Sequence, residues 1–357
     1  MRLPLALDYR PALLSAAGIG RAVRELARAL AARDDVELHL FAHSLARARV
    51  PGAVPAGAAL HRLPVPGRLL PALGRLGLGA DRLAGSPRVF HWTDYVQAPL
   101  SAARSVLTVH DLAFVREPGW HGGNAAVLRE RTARAIAAAA AVVVPSPTTA
   151  VDVRAFAPGA AVHVVPFGAD HVPPPPAGRP SPHVLCLGTI EPRKNHLGLL
   201  AAWRLVPEPR PPLLVVGRAG WECAPIVAAL RGAAAAGELQ WRERVPDDEL
   251  WPLLHGARLL VFPSHWEGFG FPPLEAMQAG IPVVANDCAA LRELGDGAFL
   301  FADARDPAAL AAAIDRGLRD EGARAGAVAA GRRRAADFRW QACAAAHAAI
   351  YREVARC

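Results

Sequence analysis

The chain reads as an α/β protein with two Rossmann-like parallel-sheet domains, and three observations predict it. Short apolar runs bounded by turn residues alternate with helical stretches along the whole sequence, the pattern of parallel strands joined by crossover helices. The 357 residues suffice for two domains of ordinary size, each with its own core. A run of four prolines, Pro173 to Pro176, followed by Gly178, Pro180 and Pro182, separates the alternating elements into two halves. The expected division is residues 1–175, a linker at 176–182, residues 183–338, and a closing helix at 339–357.

In the first half, strands are expected at 3–8, 36–41, 89–92, 105–109, 141–144 and 162–166. Gly18 and Gly20 open a helix after the first strand, the place of a phosphate loop in a dinucleotide fold. The third glycine of that loop is missing, and the second strand ends in Ala42 and His43 without a ribose-binding acid, which disfavours a nicotinamide dehydrogenase. Arg68, Arg75 and Arg82 recur every seven residues and predict one face of a helix, with Leu69, Leu73, Leu76 and Leu83 beside it. Such a face could rest on an anionic membrane. Pro71, Gly74, Gly77 and Gly79 weaken the helix, so a surface helix packed on the sheet is preferred. The fourth strand ends at His110, and a histidine at the carboxyl end of a parallel strand points toward the ligand side of the sheet.

In the second half, strands are expected at 184–187, 213–216, 240–242, 259–262 and 281–285, with helices at about 196–205 and 224–234. The helix expected at 340–354 carries Trp340, Cys343, His347, Ile350 and Tyr351 at helical spacing.

Composition narrows the chemistry. The longest apolar run, Ala135 to Val144, is far short of the roughly 20 residues that cross a bilayer, and the first residues enter a strand rather than a leader, so the expected location is the cytoplasm, peripheral on the inner face of the membrane. The five cysteines are scattered without metal spacing, and no disulfide framework or zinc site is indicated. Of 40 basic residues only Lys194 is a lysine. In a sequence so biased toward arginine, the surviving lysine is expected to do what arginine cannot, namely act as a compact point charge on a phosphate.

The densest stretch of chemistry runs from Arg258 to Asp287: a buried strand, a turn holding Glu267, Phe269, Gly270 and Phe271, and a helix opened by Pro272 and Pro273 with Glu275 in its first turn. Glycines let the backbone approach a ligand, and a helix start favours an anion. Two carboxylates beside that anion need hydroxyl groups to bond, which points to a sugar and a ribose.

The run from Pro263 to Asn286, with Glu267 and Glu275 eight positions apart, resembles the signature of the retaining nucleotide-sugar glycosyltransferases of glycosyl transferases group 1. Gly188-Thr-Ile-Glu-Pro-Arg-Lys-Asn195 is similar to the loop with which that family binds the donor diphosphate, although Thr189 stands where several members have their arginine. The resemblance implies a GT-B fold: two Rossmann-like domains facing a cleft, the first binding acceptor and the second nucleotide sugar, with the last helix crossing back to the first. It implies Arg193, Lys194, Phe269, Gly270, Phe271 and Glu275 as donor-binding residues, Gly18 and Gly20 as a loop at the donor phosphates, and His110 and Glu267 as catalytic residues. It further implies no cofactor and no metal, consistent with the lack of an Asp-x-Asp motif.

The expected activity is transfer of a hexose, mannose favoured, from a nucleoside diphosphate sugar such as GDP-mannose to a glycan or lipid-linked acceptor in surface polysaccharide assembly. A nucleotide-sugar epimerase and a non-catalytic sugar-nucleotide-binding protein are the alternatives. Residues 1–175 carry 19 arginines against 12 acids, and 176–357 carry 21 basic residues against 20 acids, so the excess positive charge lies in the first half. That suits an anionic acceptor or membrane surface better than nucleic acid, for which no binding module is recognisable.

Overall fold

A computed structural model describes residues 2–15, 18–45, 54–95, 97–178 and 182–356. Part of the expected linker, residues 179–181, lies outside them. The chain forms two compact units: residues 1–112, 126–171 and 339–357 make the first, and 113–125 with 172–338 the second.

The first unit is built on a seven-stranded sheet. Its strands are β1 (Leu3–Asp8), β2 (Val36–His43), β3 (Ala59–Leu63), β4 (Val89–Trp92), β5 (Arg104–Thr108), β6 (Ala141–Val144) and β7 (Val162–Val164). Every pairing is parallel, in the order β3-β2-β1-β4-β5-β6-β7. The order reverses between β1 and β4, so the loops leaving these two strands diverge and open a crevice at their carboxyl ends. Leu5, Leu7, Leu40, Phe90 and Leu107 are fully buried, as strands covered on both faces require.

Gly20 lies in the first turn of the helix Ile19–Ala31, where a Cβ would stand 2.2 Å from the carbonyl oxygen of Ser15, so the close approach of the preceding loop needs a glycine. The closing helix, Trp340–Arg356, belongs to this unit and buries Trp340, Cys343, His347, Ile350 and Tyr351. Its attachment is polar as well as apolar. The Tyr351 hydroxyl is 2.7 Å from His91 Nδ1, His91 Nε2 is 2.7 Å from Thr108 Oγ1, and the Trp340 amide donates to Asp170 at 2.9 Å.

The expected helix through residues 68–82 is not a single helix, which corrects the reading from arginine spacing. A 3-10 turn at Gly67–Leu69, a helix at Leu70–Arg75 and a separate helix at Ala80–Leu83 replace it. The chain breaks at Gly77, whose φ is +77°, and the Asp81 carboxylate fixes the second piece by accepting from the amides of Ser101, Ala102 and Ala103. Arg75 and Arg82 therefore share no helical face, and the Arg68 side chain lies outside the described residues. Leu69, Leu76 and Leu78 are 47%, 77% and 43% exposed.

The second unit is a six-stranded, wholly parallel sheet. Its strands are β8 (His183–Leu187), β9 (Leu213–Val216), β10 (Gln240–Arg242), β11 (Ala257–Phe262), β12 (Val283–Asn286) and β13 (Phe299–Ala302), in the order β10-β9-β8-β11-β12-β13. This order reverses between β8 and β11, which pair directly through Val184 with Leu259 and Leu185 with Leu260. Val184, Leu199, Trp203, Leu213, Val215, Leu259, Val261 and Ile314 form its core beneath.

Candidate active site

Because β8 and β11 are neighbours, the loops that leave their carboxyl ends meet. One carries Glu191, Arg193 and Lys194, and the other carries Glu267. Lys194 Nζ donates to Glu267 Oε1 at 2.6 Å, and Arg193 Nη1 lies 3.0 Å from Glu267 Oε2. Arg193 also donates from Nη1 to the Trp266 carbonyl at 2.8 Å, and from Nε to Glu191 at 3.1 Å. The amide of His265 donates to the Arg193 carbonyl at 2.8 Å, which ties the two loops through the backbone as well.

These four charged groups are nearly buried, with Glu191 at 1%, Glu267 at 6% and Arg193 at 9% exposure. Buried charges persist only when paired and hydrogen-bonded, and here two carboxylates meet two cations. Burial pushes the Glu267 carboxyl up, but the charges of Arg193 and Lys194 and the Lys194 hydrogen bond outweigh it and bring it down to about 2. Lys194 also lies 5.0 Å from the centre of the Phe262 ring.

The glycine turn leads into the helix Phe271–Ala279, with Gly270 as its N-cap at φ +105°. A Cβ there would stand 2.7 Å from Leu291, so both conformation and space require glycine. Pro272 and Pro273 have no N–H, so of the first three helical residues Phe271 alone carries a backbone donor. Phe269 is buried, its ring 6.0 Å from Phe338 and 6.4 Å from Phe271, so the ring packs the turn. Glu275 is 2% exposed and sits at the middle of the helix rather than in its first turn, because the helix already begins at Phe271.

Residues 113–125 leave the first unit just after Leu112 and pack with the second. Trp120 stacks on His265 at 6.1 Å and 8°, Arg116 lies 3.9 Å over the Trp266 ring, and Trp221 Nε1 donates to the Trp120 carbonyl at 2.9 Å. The two residues before Glu267 are thus covered by this segment, which nothing in its own residue pattern announced.

The first unit holds a separate cluster at the carboxyl ends of β1, β4 and β5. His110 Nε2 donates to the Thr93 carbonyl at 2.9 Å, Thr93 Oγ1 donates to the Asp8 carbonyl at 2.9 Å, and Arg10 pairs with Asp94 at 3.0 Å. A carbonyl only accepts, so His110 carries its proton on Nε2 and leaves Nδ1 as an acceptor. Burial holds the His110 pKa below the usual range despite the Thr93 bond and the nearby Asp94 and Asp111. Asp8 is fully buried, and burial pushes its carboxyl up to about 7 against the Arg10 charge.

Gly18, at φ +58°, is the N-cap of Ile19–Ala31 in this same unit. The structure thus brings Arg193, Lys194, Phe269, Gly270, Phe271, Glu267 and Glu275 into the second unit, and Gly18, Gly20 and His110 into the first. Sequence reading missed Glu191 and the Asp8, Arg10, Thr93 and Asp94 cluster. The available signal was the place of Asp8 at the end of an apolar strand and of Thr93 directly after one, and the closeness of Glu191 to the basic pair.

Two parallel Rossmann-like sheets in one chain, each with a switch point lined by polar groups, define a GT-B protein. The chain belongs to the glycosyl transferases group 1 family. That family's model matches residues 174–334, and the glycosyl transferase 4-like domain matches residues 17–168. D-inositol 3-phosphate glycosyltransferase of Xylanimonas cellulosilytica is 31% identical over 97% of this chain and 94% of that protein. O-antigen chain mannosyltransferase B of Escherichia coli is 40% identical over 164 residues, 45% of this chain and 43% of that protein. The matches to the serotype-specific mannosyltransferase WbdA of E. coli cover 17% of it, so less than half of either mannosyltransferase is spanned. Among solved structures, sucrose-phosphate synthase from Thermosynechococcus elongatus superposes with a TM-score of 0.80 at 23% identity over 99% of each chain. HepE of Anabaena, in complex with UDP and glucose, does so at 0.76 and 17%, over 99% of this chain and 100% of that one. At these identities the likeness is one of fold.

Proposed function

We propose that this chain transfers a hexose, mannose in preference to glucose, from a nucleoside diphosphate sugar to a hydroxyl of a glycan or lipid-linked acceptor, with retention at the anomeric carbon. The observation that carries the reading is the pairing of Lys194 and Arg193 with Glu267 at the β8–β11 switch point, where a sheet of this order binds its ligand. A diphosphate there meets a lysine and the start of the helix Phe271–Ala279, and that positive charge neutralises the leaving group without a divalent cation. Glu267 is held ionised, as a carboxylate must be to bond sugar hydroxyls and stabilise positive charge at the reacting carbon. Glu275 takes the ribose hydroxyls; within the first unit, Gly18 and Gly20 keep the part of a phosphate-approaching loop that the family resemblance implies, and neutral His110 offers Nδ1 to a hydroxyl. Mannose is favoured by the names of the E. coli relatives, and surface polysaccharide assembly by the O-antigen role that one of those names carries.

The exposed Leu69, Leu76 and Leu78 beside Arg75 and Arg82 support peripheral contact with an anionic membrane. Sedimentation with anionic and neutral vesicles tests it, and equal binding to both at low salt refutes it.

The activity is tested by incubating the chain with GDP, UDP and ADP sugars, with and without mannoside acceptors. The proposal expects turnover of one donor class that rises with acceptor. Conversion of the donor sugar without acceptor would identify an epimerase, and binding without any turnover a non-catalytic protein.

A further inference from the structure

We propose that Arg193 is a positioning residue and not a ligand of the donor diphosphate: anchored by Glu191, it holds Glu267 in place, while Lys194 alone exchanges Glu267 for the phosphates. The inference rests on the nucleotide-sugar reading given above. It departs from the simpler expectation that two adjacent basic residues after a glycine serve one anion together.

The guanidinium is already committed. It has five N–H groups, and Nε and Nη2 both face Glu191 Oε1, at 3.1 and 2.8 Å, while Nη1 faces the Trp266 carbonyl at 2.8 Å and Glu267 Oε2 at 3.0 Å. Both edges of the guanidinium are therefore engaged by groups of the protein. To reach a phosphate Arg193 would have to leave Glu191, which is 1% exposed and would remain as a buried charge without its cation. A planar fork fixed on both edges is suited to orienting a neighbour, not to following an incoming ligand.

Lys194 differs in each respect. Its ammonium sits at the end of a flexible stem, against one carboxylate oxygen at 2.6 Å and the face of Phe262. Rotation of that stem trades one anion for another at little cost, since no backbone carbonyl depends on it. After the exchange Glu267 still has Arg193 on Oε2, so it stays ionised and oriented, with Oε1 released toward the sugar. Glu191 therefore acts two steps from the reacting atoms: it fixes Arg193, and Arg193 fixes Glu267. The Trp266 carbonyl, held by the same Nη1, keeps the backbone of the turn from swinging when Lys194 departs.

The test compares Lys194→Met, Arg193→Met and Glu191→Gln in the full chain. Binding of GDP and of UDP is measured by calorimetry, and kcat for donor turnover is followed against pH. Lys194→Met is expected to weaken the preferred diphosphate by about tenfold or more. Arg193→Met and Glu191→Gln are expected to keep diphosphate affinity within about twofold and to lower kcat by about tenfold to a hundredfold; Arg193→Met also moves the acid limb of the kcat profile to higher pH, because Glu267 loses a cation, whereas Glu191→Gln, which keeps the guanidinium and removes a neighbouring negative charge, does not raise it. A purely structural role would leave that limb in place. If Arg193→Met does not fold, the isosteric Glu191→Gln still separates diphosphate affinity from kcat. Loss of diphosphate affinity in Arg193→Met or Glu191→Gln equal to that in Lys194→Met overturns the proposal, as does an unchanged acid limb in Arg193→Met. Absence of nucleotide binding and turnover in the unsubstituted chain would instead overturn the nucleotide-sugar reading, and this inference with it.

Discussion

Lys194 Nζ lies 2.6 Å from Glu267 Oε1, and the two residues, 73 positions apart, meet because β8 and β11 are adjacent strands of one sheet. The pair joins the only lysine of the chain to the carboxylate of its glycine turn. If Lys194 serves the departing diphosphate, arginine should not replace it, since a wide planar fork cannot occupy the place of a point ammonium 2.6 Å from Glu267 without displacing the turn. Lys194→Arg is expected to lower donor turnover by about a hundredfold. Full activity in this variant would remove the argument from the rarity of lysine.

The same pair makes stability depend on pH. Glu267 has its carboxyl lowered from 4.5 to about 2, so the native state binds fewer protons than the unfolded chain between those values. The stabilisation is present above about pH 4.5 and is lost as pH falls toward 2, a contribution of roughly 3 kcal/mol by linkage. Glu267→Gln should flatten the decline of melting temperature over that interval. An unaltered acid decline in the variant would show that other carboxylates govern it.

Asp8 works in the opposite direction. Burial raises its carboxyl from 3.8 to about 7, so the native state binds more protons than the unfolded chain and stability falls as pH rises through that window. Asp8→Asn removes this penalty and is expected to raise the melting temperature at pH 8 by more than at pH 4. Equal shifts at the two pH values would contradict the burial account.

Much of this was legible in the sequence, and the exceptions have physical causes. Strands such as β9 and β11 are buried on both faces and stand out as apolar runs, and the closing helix shows its buried face through Trp340, Cys343, His347, Ile350 and Tyr351. The edge strand β3 does not stand out, because Ala59, Leu60 and Arg62 are exposed and no apolar run marks it. The arginine spacing at 68, 75 and 82 suggested a helix that Gly77 and Asp81 interrupt, a case of local turn chemistry overriding periodicity. At the site, Glu267 and Lys194 could be picked out by type and setting. The neighbours they acquire depend on strand order, which no local pattern encodes, and so Glu191 and the Asp8 cluster went unread.

The closing helix is expected to depend on one hydrogen bond more than its apolar face suggests. Tyr351 and His91 are both buried, and Tyr351→Phe leaves His91 Nδ1 without the hydroxyl that lies 2.7 Å from it. The substitution should cost about 1–3 kcal/mol of unfolding free energy in denaturant titration. A cost near zero would mean that a water replaces the hydroxyl.

The central claim is that Glu267, held ionised at the switch point of the second sheet, serves retaining transfer from a nucleotide sugar. Proton NMR of the first-formed product, with an α-linked nucleotide sugar and a mannoside acceptor, tests it most directly. The account predicts an α-linked product in the unsubstituted chain and a large loss of its rate of formation in Glu267→Gln. A β-linked product, or an α-linked product formed at an undiminished rate by Glu267→Gln, would contradict it.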